Sequence, residues 1–229
     1  MTHGIPVPDA LAARLDRESK QQRTFPWRSE PWLELMHDLP QVTELLQRMP
    51  GRVDRTSTRE LVLAELAAGR TLPAFVGAMV WGYGTTGYGP VRTRWVLTGT
   101  KTNPRASPVL PSVTERLEDG VIAVRRRGPV EAFRGMSNEG RIKYLGAAFF
   151  TKWLYFASAV QASDDATAAP ILDKQLADWL FAHASISLQL GRTSSYDQYV
   201  GLLTEWGSRH NRSAVQVEKA IFGLATGRD

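Results

Sequence analysis

Apolar residues recur at helical spacing along most of the chain, while segments with the two-residue alternation of a strand are scarce. The spacing predicts helices over Ala74–Trp81, residues 91–98, Ala148–Val160, Lys174–Ala184, Ser195–His210 and Ala214–Ala225. Three segments, Ser57-Thr-Arg-Glu60, Ser112-Val-Thr-Glu115 and Ser213-Ala-Val-Gln216, have the reciprocal spacing of a capping box and each predicts a helix start. Gly69 ends the first of these helices, and the second ends near the basic run Arg125–Arg127. Pro129 opens a short helix to Arg134, and Ser137–Leu145 reads as another, closed by a turn at Gly146. Residues 1–30 read as a loosely ordered arm with one short helix over Asp9–Glu18. Its end is anchored by Phe25-Pro-Trp27 and Pro31-Trp32. The expected fold class is all-α, with residues 1–54 an N-terminal arm and packing segment and residues 55–229 the helical body.

Composition narrows the chemistry. Cysteine is absent, which excludes disulfides, cysteine nucleophiles and cysteine-held zinc or iron–sulfur centres. The four histidines (His3, His37, His183 and His210) show no metal-ligand spacing, so neither a metal nor another cofactor is expected. No run approaches the ~18 apolar residues of a membrane helix, and the N-terminus lacks the pattern of a signal peptide. A cytoplasmic monomer is the expectation. Net charge is +5 and the pI about 9.7, with arginine far outnumbering lysine. That balance suits a polyanion, because guanidinium groups bond phosphate bidentately, although many basic proteins bind no nucleic acid.

Two groups of residues carry candidate chemistry. Lys152 lies on a helix whose other positions include Phe149, Phe150, Trp153, Leu154, Tyr155 and Phe156. A lysine in such surroundings loses solvation, its ammonium form is disfavoured, and the free amine becomes available as a nucleophile. The plainer reading is a lysine that snorkels to solvent. Asp173 precedes Lys174-Gln-Leu-Ala-Asp-Trp and reads as a helix N-cap, a position that also fixes the direction of a carboxylate. Asp164 and Asp165 are rival acids in a solvated-loop context. The turn Tyr144-Leu145-Gly146-Ala147-Ala148 would aim backbone N–H groups outward at a helix start, a site suited to phosphate, or would be an ordinary helical corner. In Trp81-Gly-Tyr-Gly-Thr-Thr-Gly-Tyr-Gly-Pro-Val-Arg92 the glycines follow a helix, so a dinucleotide fingerprint does not fit. Trp81, Tyr83 or Tyr88 can stack on a base there and Arg92 or Arg94 can meet phosphate, or the rings are core aromatics at a packed turn.

Leu145-Gly146-Ala-Ala-Phe-Phe-Thr-Lys152-Trp-Leu-Tyr-Phe156 resembles the hairpin and lysine helix of the 8-oxoguanine DNA glycosylase group within the helix-hairpin-helix superfamily. The Trp81–Arg92 segment and the tail, with Tyr196, Tyr199, Trp206 and Val217–Phe222, are similar to segments of a bacterial branch in the same order, so the resemblance spans roughly residues 55–225. It implies two helical lobes around a cleft with a helix-hairpin-helix motif, and a duplex DNA partner holding a damaged or modified base. It implies a DNA glycosylase with abasic-site lyase activity, Lys152 as amine nucleophile, Asp173 as essential carboxylate and residues 144–148 as the phosphate-gripping hairpin. Two departures stand out: Tyr144 occupies the place of the first glycine of Gly-hydrophobic-Gly, and Lys152 lies six residues beyond Gly146 rather than about two. A DNA-binding module of the same fold without chemistry is the alternative. A third reading is a helical interaction protein with no nucleic-acid role.

Overall fold

In the computed structural model, residues 4–17 and 22–227 are described. They form twelve helices and one two-stranded sheet. The helices are α1 (Asp9–Leu15), α2 (Glu30–Leu35), α3 (Pro40–Arg48), α4 (Arg55–Ala67), α5 (Thr71–Tyr83), α6 (Gly89–Thr98), α7 (Pro111–Arg127), α8 (Pro129–Ser137), α9 (Ala147–Ser158), α10 (Lys174–Ala184), α11 (Thr193–Arg209) and α12 (Ala214–Thr226). The protein is all-α apart from β1 (Phe25–Pro26) and β2 (Arg52–Val53), which pair antiparallel. This pair is too short for alternation to reveal it.

Helix α9 organises the molecule. Every residue from Phe150 to Ser158 is buried, as expected of a helix apolar on all sides, and it packs against α4 and α5 on one flank and α7 and α8 on another. Helix α5 is equally enclosed from Pro73 to Trp81. Around this pair, α2, α3, α4 and α6 gather with α5, while α8, α10, α11 and α12 form the other group. Helix α1 belongs with the second group: it packs on α12, and Arg212 Nε donates to Leu15 O at 3.0 Å. Helix α1 is thereby tied to the last helices. One continuous apolar core runs through both groups. Carbonyl oxygens at the C-terminal end of α9 accept from Arg125 (to Ala157, 2.8 Å) and from Arg59 (to Ala159 and Val160), placing positive charge at the negative end of its dipole.

Several local expectations are corrected. The segment read as a loose arm is packed on the body: its helix α1 puts Leu11 and Leu15 in the core and β1 pairs with β2, while Trp27 and Trp32 are buried as the expected anchor; the proposed helix end at Glu18 lies outside the described residues. The cap of α4 is Asp54, three residues before Ser57: its side chain accepts from Ser57 N at 2.7 Å, and the Ser57 hydroxyl accepts from Asp54 N at 3.1 Å. Serine thus serves as the third helical residue of the box, not its first. Ser112 lies inside α7, which starts at Pro111 without a side-chain cap. The box at Ser213 and Gln216 is formed as expected.

The helix expected over Ser137–Leu145 is not formed. Helix α8 runs on through Ser137 and the chain then turns tightly, with Gly140 N bonded to Gly135 O at 2.9 Å. An added Cβ at Gly140 would lie only 3.0 Å from that same carbonyl oxygen, so a side chain there would press on the backbone of the turn. Arg116 Nη1 donates to Arg141 O at 2.8 Å and pins the segment to α7.

Candidate active site

Asp173 and Lys152 meet although they come from different elements. A segment without regular secondary structure, 169–172, is fastened to α9 by two hydroxyls seven residues apart, hence on one helix face. Ser158 Oγ accepts from Ala169 N at 2.9 Å, and Thr151 Oγ1 accepts from Leu172 N at 3.2 Å while donating to Ala147 O at 2.8 Å. From α11, the Tyr196 and Tyr199 hydroxyls donate to Pro170 O (2.8 Å) and Ile171 O (2.7 Å). Burial raises both phenol pKa values, so these hydroxyls remain donors. The segment ends at Asp173, the N-cap of α10, whose Oδ1 accepts from Gln175 N at 3.1 Å and Leu176 N at 3.3 Å. The other oxygen, Oδ2, lies 3.3 Å from Lys152 Nζ. Capping and contact with lysine are therefore divided between the two oxygens of one carboxylate.

Lys152 does not snorkel. It is 8 % exposed, and its ammonium donates to Ala148 O at 2.9 Å as well as to Asp173. Burial is the strongest influence on it and lowers its pKa below the usual lysine range; the Asp173 carboxylate pulls the other way. Gly82 on α5 makes room for the lysine stem, since a Cβ there would lie 3.1 Å from Lys152 Cδ. Next to it the Tyr83 ring stacks on Phe149, with centroids 4.2 Å apart, and Lys152 Nζ lies 5.3 Å from the centre of the Phe149 ring. Burial pushes the Tyr83 phenol up to about 12, against the nearby Arg92.

Near the lysine, Arg55 and Glu218 form a buried bidentate ion pair at 2.7 and 2.8 Å. The guanidinium lies over Trp81 and Tyr155, 5.3 and 4.7 Å from the ring centres. Burial opposes the Arg55 charge, but Glu218 outweighs it and the pKa is raised. The two charges act on Lys152 in opposite directions, Glu218 raising its pKa and Arg55 lowering it.

The remaining residues singled out from the sequence fall at graded distances from this centre. Trp81 is a core ring, edge-on to Phe156, with its indole N–H donated to Gln22 Oε1 at 3.0 Å. Tyr88 is 71 % exposed at the start of α6, and Arg92 is exposed on the same helix. Arg94, considered for phosphate, is fully buried and bidentate to Asp38 at 2.7 and 2.8 Å, so it is a structural anchor. Asp164 is engaged by Lys219 and Gln216. Asp165 is buried and holds its own loop through Gln161 N and Thr167 N, both at 2.9 Å. Among the described residues, no group of three or more metal-ligating side chains gathers. No described helix is long and apolar enough to cross a membrane.

The hairpin lies on the same helix as the lysine. Gly146 caps α9 with φ −82° and ψ 167°, and among the described residues no side-chain cap bond is made at this helix start. Tyr144, at the place of the missing first glycine, has φ +67°, a left-handed conformation that glycine takes without strain.

The family model described as "Putative 8-oxoguanine DNA glycosylase OGG-like protein" matches residues 18–222, nearly the whole chain. The chain belongs to this family. No curated protein and no solved structure matches it significantly. Membership in the OGG-like family supports DNA glycosylase activity on a DNA substrate. Phe149, Gly82 and Thr151 of this OGG-like chain gave no separate signal in the sequence. They lie within apolar or glycine-rich runs that do not disclose which side chain faces the lysine.

Proposed function

We propose that the protein excises an oxidised purine from duplex DNA by attack of the Lys152 amine on the sugar, with Asp173 moving protons, and then cleaves the strand by β-elimination. The observation that carries the reading is the 3.3 Å contact between Lys152 Nζ and Asp173 Oδ2, beside the Tyr83–Phe149 stack. A buried amine of lowered pKa is a nucleophile, and a carboxylate on its nitrogen is a base within reach of its proton.

Asp173 takes a proton from the Lys152 ammonium and frees the nitrogen lone pair. That pair forms the bond to C1′ as the glycosidic bond breaks, and the base leaves with the bonding electrons and takes up a proton. The departing base draws that proton from Asp173, and the carboxylate so restored meets the positive charge that builds on the sugar. The nitrogen gives up its second proton, the C1′–O4′ bond opens with proton uptake at O4′, and an imine results. Loss of a proton from C2′ expels the 3′ phosphate, and water then hydrolyses the imine and restores Lys152. The target nucleotide must leave the helix to reach the buried nitrogen. The α9 N-terminus gives the neighbouring phosphate its place: Gly146 has an ordinary negative φ, and an added Cβ would meet nothing in the protein. Neither backbone nor packing demands glycine there, which supports close approach from outside.

Single-turnover base release from a duplex holding one 8-oxoguanine tests the assignment. Lys152→Gln and Asp173→Asn are expected to slow release by about 100-fold or more while duplex affinity stays close to wild type. Release at the wild-type rate in both variants would reject the assignment of roles.

A further inference from the structure

Beside the hairpin lies a cluster of two rings and two lysines that the reaction does not use. The Trp95 ring of α6 meets the Tyr144 ring with centroids 6.2 Å apart. Lys101 Nζ lies over both rings, 4.9 Å from Trp95 and 5.3 Å from Tyr144, and Lys143 Nζ lies 5.0 Å from the Tyr144 ring. Tyr144 is 40 % exposed and both lysines are exposed. Among the described residues, no carboxylate lies in ion-pair range of Lys101, Lys143 or Arg141 on this face. Arg105, on the same loop as Lys101, is by contrast already paired with Glu34.

The loop that carries Lys101 is held from below. Arg94, fully buried, donates to Pro104 O (2.9 Å), Arg105 O (3.3 Å) and Ser107 O (2.8 Å) while paired with Asp38. A buried guanidinium spent on three carbonyls fixes a polar surface loop in one shape. Ring faces under the two ammonium groups hold them in place and leave their N–H donors for an outside acceptor.

We propose that Lys101, Lys143, Trp95 and Tyr144 form a second backbone contact for duplex DNA, in which the lysines take a phosphate adjoining the one at the α9 N-terminus and the exposed edge of Tyr144 packs on the deoxyribose between them. The proposal rests on the base-excision reading for its partner, and on the cluster alone for its residues. The lysines reach charge and no base edge, so this contact is indifferent to sequence and adds to affinity through counterion release.

The test is equilibrium binding to a duplex carrying one tetrahydrofuran abasic analogue, which has no C1′ oxygen and cannot form the imine, measured across a salt series. Lys101→Met and Lys143→Met lie at exposed positions and are expected to leave the melting temperature unchanged. Each is expected to weaken binding roughly fivefold and to reduce the slope of log affinity against log salt by about one, the double variant by about two. Wild-type affinity and slope in the double variant, with wild type itself binding the duplex, would overturn this contact and leave the base-excision reading standing. No binding of wild type to the duplex even at low salt would overturn both.

Discussion

At the residue scale, the pairing of one amine with one carboxylate determines what the site can do. Burial lowers the Lys152 pKa and Asp173 raises it, so the free amine accumulates as pH rises through a value below that of an ordinary lysine. Imine formation is therefore expected to increase with pH and to reach half its plateau below the usual lysine range. Asp173→Asn removes the carboxylate that holds the proton on, so its half-point should shift to lower pH while its plateau falls for want of the base. A pH series of single-turnover trapping rates checks both; an upward shift in Asp173→Asn would contradict the arrangement. Lys152 and Asp173 were legible in the sequence, one as an amine among aromatics and the other as a helix cap. Their contact was not. It depends on Thr151, Ser158, Tyr196 and Tyr199 fastening the 169–172 segment, bonds between residues far apart in the chain that leave no periodic trace.

At the scale of elements, the turn before α9 is set by one left-handed residue, Tyr144. Tyr144 accepts a left-handed φ where glycine would be free of strain, and its ring meets Lys101 and Lys143. Tyr144→Gly is expected to melt no lower than wild type, whereas Tyr144→Val should lose roughly 2 kcal/mol because a β-branched residue resists positive φ. Thermal melts of the two variants decide this; equal losses would show that the ring, not the backbone, holds the turn. Helices with a clear apolar face or a complete capping box, such as α10 and α12, could be placed from sequence alone. The stretch before the turn could not. Its residues are compatible with helix, yet α8 stops at Ser137, where Asn138 leaves helical geometry (φ −118°, ψ −104°) and Gly140 N folds back onto Gly135 O.

At the scale of the whole molecule, the site lies where two groups of helices meet. Lys152 comes from the shared helix α9, Gly82 and Tyr83 from α5, and Asp173 from α10. Arg55 at the start of α4 and Glu218 on α12 join the same two groups beside it. No local pattern could have paired residues 163 positions apart. Arg55→Met leaves Glu218 buried without its partner and is expected to cost about 3–5 kcal/mol, while Arg55→Met combined with Glu218→Leu should recover most of that loss. Denaturant unfolding of the single and double variants measures the difference; a double variant as unstable as the single one would show that the pair does not act as a unit. The proposed chemistry turns on attack of a buried lysine amine on the sugar. Borohydride trapping on a duplex with one natural abasic site, with the adduct mapped by mass spectrometry and Lys152→Ala alongside, tests it without any assumption about the base. A covalent adduct on Lys152 that disappears in the variant is expected. A folded, duplex-binding wild type that forms no adduct, or an adduct that persists in Lys152→Ala, would contradict it.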